Sequence, residues 1–191
     1  DKVPYLGLLK SVLGYVDTAH YTYGELSNEI NAETGGIACG VEVFDRADSV
    51  DEYRAFFGVK GKVMYPKMDV IFRMIREILN TSDVTDTRRL HEIISRVKSR
   101  AQSSLVSAGH STAVLRAASY ASPMAAFQDG MAGIAYYQFI EKLDREFDDR
   151  KEEIIENLKS LMVEILRPEN LCISYTCLLY TSPSPRDRSL S

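Results

Sequence analysis

The sequence predicts an α+β domain in which helices pack on one face of a mostly antiparallel sheet. Three observations predict this. Alternation of apolar and polar residues with period two is confined to residues 37–65 and 171–176, while helical spacing occupies most of the remainder. Strands and helices are segregated, with no βαβ alternation and no short-period repeat, which points away from a parallel sheet. The 191 residues are 45% hydrophobic and 26% charged, the composition of one ordinary globular domain.

Taken in order, Pro4 suits the first turn of a helix, and Leu6, Leu9, Val12, Leu13 and Val16 follow helical spacing. A second helix is expected from Tyr21 to Asn31, with Tyr21 or Thr22 near its cap and Glu25 complementing the dipole. Gly35-Gly36 permits the turn that redirects the chain. Ile37 to Phe44 reads as a strand, Asp45 to Glu52 as a polar loop or short turn, and Tyr53 to Tyr65 as an antiparallel strand stopped by Pro66. About five helices follow. Met68 to Leu79 carries Val70, Ile71, Met74, Ile75 and Ile78. Asp86 caps a long helix bearing Leu90, Ile93, Ile94, Val97 and Ala101. One helix runs through Leu115, with a break near Ser122-Pro123 and a new helix near Gly133. Ile134 to Phe147 and Asp149 to Leu166 complete the set, and Pro168 closes the last. Leu171 to Thr176 reads as a third strand. Three strands make a thin sheet, so further strands upstream of Asp1 are expected.

The bulk properties exclude several functions. A net charge of −4 argues against nonspecific nucleic-acid binding, which needs a basic face. No apolar run reaches the ~18 residues of a membrane helix. Cys39, Cys172 and Cys177 are too scattered for a disulfide framework or a zinc ribbon, which suits a reducing, cytoplasmic setting. No signal peptide precedes Val3. Residues Cys177 to Asp187 back-translate without mismatch to a sequencing-library transposon adapter. The domain is therefore expected to occupy 1–176 and the segment 177–191 to be a disordered adapter translation, with the whole a fragment of a longer reading frame.

Candidate chemistry is sparse. His91-Glu92-Ile93-Ile94 begins like His-Glu-x-x-His, but Ser95 stands where the second His is needed, so His91 reads as an exposed helix residue. Gly58-Val-Lys-Gly-Lys62 lacks phosphate-loop spacing. Ser107-Ala-Gly-His110 has no acid partner. Cys39 reads as a core residue. Arg88, Arg89, Arg96, Lys98 and Arg100 read as a solvated face. Tyr21, Tyr23, Tyr120, Tyr136 and Tyr137 suggest either a peptide-contacting surface or helix packing.

Four blocks follow one another in a recognisable order: Pro4 to Tyr15 with Tyr21 to Ile37, Arg116-Ala-Ala-Ser-Tyr120 with Ser122, Gly133-Ile-Ala-Tyr-Tyr-Gln-Phe-Ile140, and Arg167-Pro-Glu-Asn-Leu171. Together they resemble the presequence-protease branch of the pitrilysin/insulysin zinc metallopeptidases, across roughly Val3 to Thr176. The resemblance implies the associated domain, the first domain of the noncatalytic C-terminal half. Its first helix carries Leu6, Leu9 and Lys10 where the catalytic half bears an inverted His-x-x-Glu-His motif. Leu cannot ligate zinc, and the charge on Lys repels it. The resemblance thus implies no catalytic, cofactor-binding or metal-binding residue in this chain, with zinc held in the N-terminal catalytic half of the same polypeptide. It implies peptide substrates as partners and a share in the wall of a closed chamber, while charge and hydropathy point to no nucleic acid and no membrane as partners. The competing expectations are a non-enzymatic member of the fold, like the core proteins of respiratory complexes, or an unrelated α+β binding module.

Overall fold

A computed structural model of the chain describes residues 2–46 and 49–176. Among the described residues, eight helices and one hairpin follow one another: α1 (Val3–Val12), α2 (Tyr23–Glu33), β1 (Ile37–Arg46), β2 (Ser49–Gly61), α3 (Met68–Thr81), α4 (Thr87–Ser107), α5 (Gly109–Ala118), α6 (Pro123–Ala132), α7 (Ile134–Arg145) and α8 (Phe147–Ile165). The α+β class and its antiparallel sheet are those that the sequence predicts.

α1 is the centre of the molecule. It packs against α4, α6, α7, α8 and β1. Tyr5, Leu8, Leu9 and Val12 are buried along it, while Leu6 is only half-buried. The helix ends at Val12, yet Leu13 and Val16 still reach the core, because the chain turns at Gly14 and keeps both side chains inward. Leu26 and Ile30 of α2, Met74 and Ile78 of α3, Leu90, Ile93 and Ile94 of α4, Ile140 and Leu143 of α7, and Ile154 and Leu158 of α8 close around it. Burial of such side chains stabilises by roughly 1.5–3 kcal/mol each.

The caps follow local chemistry. Thr22 and Glu25 form a reciprocal capping box on α2, with the Glu25 amide donating to Thr22 Oγ1 at 3.3 Å and the Thr22 amide donating to Glu25 Oε2 at 2.9 Å. The Asp86 carboxylate accepts from the Arg89 amide at 3.0 Å and starts α4. Ser122 Oγ accepts from the Ala125 amide at 3.3 Å, with Pro123 opening α6.

Four expectations need correction. The stretch from Asp45 to Glu52 is strand almost throughout: β1 runs to Arg46 and β2 begins at Ser49. Charge is tolerated where Arg46 and Glu52 stand exposed and pair at 2.7 Å. β2 ends at Gly61, not Tyr65, since Tyr65 to Lys67 forms a single tight turn leading into α3. The region after Ser122-Pro123 is a helix of its own, α6, so six helices follow the hairpin, not about five. Leu171 to Thr176 is not a strand: the alternation is present, but no neighbouring strand among the described residues supplies a ladder, and Leu171 and Ile173 stand exposed. The expected adapter translation, 177–191, lies outside the described residues.

β1 and β2 pair antiparallel, with Ile37 opposite Gly61 and Val41 opposite Phe57. α1 and α6 pack against the hairpin, where Tyr53 meets Phe127 of α6 with ring centroids 5.4 Å apart. Ile37, Cys39 and Phe57 pack against the core, while Phe44 and Phe56 are exposed. Among the described residues no helix is long and apolar enough to cross a membrane.

Candidate functional site

The face of α1 that matters most to a metallopeptidase reading carries no metal chemistry. Leu9 is fully buried, Leu6 is half-buried against the core, and Lys10 is half-buried with no carboxylate beside it among the described residues. Burial pulls the Lys10 ammonium below its usual pKa. These side chains do not fit a zinc ion. No three of the described His, Cys, Asp and Glu residues come together in an arrangement that could hold a metal.

The densest polar constructions join helices. At the corner between α5, α6 and α7, Asp129 is almost fully buried. Its Oδ2 accepts from Arg116 Nη1 at 2.7 Å, and its Oδ1 accepts from the Ile134 amide at 2.9 Å. One carboxylate therefore neutralises a guanidinium and caps α7. A Cβ on Gly133 would lie 2.2 Å from Asp129 Oδ1, so the cap requires glycine there. The Arg116 guanidinium also rests 5.2 Å from the centre of the Tyr120 ring.

Between α4 and α7, the Asp144 carboxylate accepts from Ser95 Oγ and Lys98 Nζ, both at 2.5 Å, and lies 3.4 Å from His91 Nε2. Burial raises the Asp144 pKa, but these hydrogen bonds outweigh it and hold the group below its usual range. The His91 ring stacks flat on Phe147, centroids 4.3 Å apart. α1 is tied to α8 by Tyr5, whose hydroxyl donates to Glu153 Oε1 at 2.8 Å. Arg150 grips the same carboxylate through two nitrogens, at 2.7 and 2.9 Å. Burial, then the Glu153 carboxylate, pushes the Tyr5 hydroxyl up to about 12.

The remaining candidates are accounted for singly. Burial pushes the Cys39 thiol up to about 11, far from a reactive thiolate. Ser107 Oγ donates to the Ser103 carbonyl at 3.0 Å. Lys60, inside the glycine-lysine stretch of β2, pairs with Glu42 across the hairpin. Arg89 lies 3.7 Å from the Tyr23 ring centre and donates to the Tyr15 carbonyl at 2.8 Å, and Arg96 lies over Tyr15. The tyrosines do not form one surface: Tyr136 is buried in the core, against α1 at Gly7, where a Cβ would lie 2.7 Å from its ring.

The sequence profile of the peptidase M-16C associated family matches residues 1–143. The chain belongs to that family. Among its curated relatives, Protein HypA of Clostridium perfringens is 32% identical over 176 residues, covering 92% of this chain and 18% of that protein. The mitochondrial presequence protease of Yarrowia lipolytica is 28% identical over 159 residues, covering 83% and 16%. Presequence protease 1 of Arabidopsis thaliana, chloroplastic/mitochondrial, is 25% identical over 179 residues, covering 92% and 16%. The chain thus spans less than a fifth of the length of these relatives.

Within this peptidase-associated domain, three of the blocks that carry the resemblance meet in space. Arg116 reaches the Gly133 block through Asp129, and that block reaches α1 through Tyr136 and Gly7. Asp129 is not among the residues that motif and spacing single out. Its signal was available: it is the one acidic residue between Glu92 and Glu141.

Proposed function

We propose that this chain is the noncatalytic associated domain of a zinc-dependent endopeptidase that degrades unfolded peptides, and that it forms part of the wall of the chamber enclosing them. The observation that carries the proposal is the peptidase-associated family match over residues 1–143 combined with relatives named presequence proteases. The side chains of α1 support the division of labour, since Leu6, Leu9 and Lys10 offer no zinc ligand. In the parent polypeptide, zinc held outside this chain supplies an activated water. The residues here supply shape: the polar ties at Asp129 and Asp144 link α4, α5, α6 and α7.

The deciding experiment is recovery of the complete reading frame, followed by purification of its product. A His-x-x-Glu-His motif upstream, with one zinc per molecule and chelator-sensitive hydrolysis of unfolded peptides, is the expected result. A complete frame without the motif, whose product hydrolyses no peptide, would overturn the proposal in favour of a structural member of the fold. The 191-residue chain alone is expected neither to hydrolyse peptides nor to bind zinc tightly, and a zinc titration showing one tight site would contradict this.

A further inference from the structure

The arginines and lysines of α4 separate into those that have a carboxylate and those that do not. Arg88 Nε lies 3.5 Å from Glu92 Oε1, Arg89 Nη1 lies 3.1 Å from Glu92 Oε2, and Lys98 donates to Asp144. Arg96 and Arg100 are exposed and have no carboxylate partner among the described residues. They stand four residues apart on one helix, where like charges repel and oppose the helix. The sequence nearby supplies nothing to relieve this, since no acidic residue occurs from Ile93 to Gln128.

The two cations belong to a larger run. Arg89, Arg96 and Arg100 are spaced seven and then four residues apart, so they follow one side of α4. That side meets the chain between α1 and α2. Arg89 lies 3.7 Å from the centre of the Tyr23 ring and donates through Nε to the Tyr15 carbonyl at 2.8 Å. Arg96 lies 4.9 Å from the centre of the Tyr15 ring. Tyr23, Arg89, Tyr15 and Arg96 are therefore joined contact by contact, with Arg100 one helical turn beyond. Tyr15 is 50% exposed and Tyr23 45%, so both rings stand open to solvent. Glu92, spent on two arginines, borders the run, and Ser103 and Ser107 extend it with hydroxyls turned back on carbonyls of their own helix. The Tyr15 ring braces the Arg96 guanidinium, so less side-chain freedom is lost when that planar fork is engaged.

We infer that Tyr15, Tyr23, Arg96 and Arg100 form a docking surface for an extended acidic peptide segment. A guanidinium fork takes a carboxylate through two parallel hydrogen bonds, and the tyrosine rings offer flat apolar area beside it. A helix rise of about 1.5 Å per residue sets Arg96 and Arg100 about 6 Å apart along the axis. Alternate residues of an extended strand lie about 6.8 Å apart on one face, so carboxylates two residues apart reach both arginines. The carboxylates bordering the run favour a peptide over a nucleic acid. Glu92 lies beside it, and at its Tyr23 end Asp17 accepts from the Tyr23 amide at 2.7 Å and Asp86 from the Arg89 amide at 3.0 Å. A nucleic-acid strand carries a charge at every phosphate and would meet these acids, whereas a peptide presents neutral residues to them. The inference does not depend on the peptidase reading above.

The test titrates the 191-residue chain, by fluorescence anisotropy, into a labelled peptide of about eight residues alternating Glu and Ser, and into its Gln-Ser counterpart. The Glu-Ser peptide is expected to bind at least about tenfold more tightly, and less tightly as salt is raised. Arg96→Glu and Arg100→Glu are each expected to weaken binding about fivefold, with the melting temperature of the chain unchanged because both residues are exposed. Tyr15→Leu, which keeps every charge, is expected to weaken it about twofold or more. Lys159→Glu, the same charge change at an exposed position on α8, is expected to leave binding as it was. Equal binding of the two peptides, or none of either, would overturn the inference. Undiminished binding by Arg96→Glu or Tyr15→Leu would do the same, as would a loss in Lys159→Glu equal to that in Arg96→Glu, which would reduce the effect to net charge. Tighter binding of a single-stranded oligothymidylate than of the Glu-Ser peptide would assign the surface to phosphates instead.

Discussion

Asp129 and Gly133 form the residue pair on which most depends. Gly133→Ala would push a methyl group into Asp129 Oδ1, and the carboxylate would have to leave both Arg116 and the Ile134 amide. Breaking a buried pair from one side costs roughly 3 kcal/mol or more, discounted somewhat here because Arg116 can reach water. Urea denaturation of Gly133→Ala is therefore expected to show a loss of about 2–3 kcal/mol; a loss below about 0.5 kcal/mol would contradict the role given to this carboxylate. Glu77 allows a test by pH. Burial opposes its ionisation, but hydrogen bonds from Thr18, Thr81 and His20 more than offset this and hold it at about 2, against an ordinary 4.5. A depressed folded-state pKa means that the ionised form favours the fold. The contribution is complete above about 4.5 and is lost as pH falls towards about 2. Glu77→Gln should flatten the acid limb of the stability profile across that window, measured by thermal melts at stepped pH. An unchanged limb would remove Glu77 from the account.

Elements were legible in the sequence where local chemistry decides them. Thr22 with Glu25 and Asp86 announce helix starts, and the structure uses both. Because both halves of the α2 capping box are present, Thr22→Ala should lower stability by ~1 kcal/mol in chemical denaturation, with a matching loss of amide protection confined to the first turn of α2. Elements were illegible where pairing or packing decides them. Leu171 to Thr176 alternates as a strand should, but a strand exists only when a neighbour accepts its hydrogen bonds. α6 was hidden among Ala, Met and Gly, which carry little periodic contrast; what secures it is contact with α1, α5, α7 and the hairpin. The candidate site divides in the same way. That α1 lacks zinc ligands could be read directly from Leu6, Leu9 and Lys10. That Arg116 and Gly133 serve one corner could not, because their link, Asp129, is a tertiary contact.

For the whole molecule, the hairpin is thin, with Phe44 and Phe56 exposed on it, and α5 is unburied, so the chain keeps apolar surface that a self-sufficient domain would cover. Calorimetry of the 191-residue chain is expected to give a low, broad transition that sharpens and rises on addition of the upstream half, by the mass action of a partner that binds only the folded form. A sharp high-temperature melt of the chain alone, unaffected by that addition, would contradict this. The ties of α1 to α8 also bear on how the domain is made. Lys2 bonds Ser160 and Glu164, and Tyr5 bonds Glu153, at sequence separations of 158, 162 and 148. Within this domain, α1 precedes the helices it packs against and meets α8 last. Leu8, Leu9 and Val12 gain their native cover from α4, α7 and α8 only after those later helices have been made, so the contacts that complete the core are ones of high sequence separation.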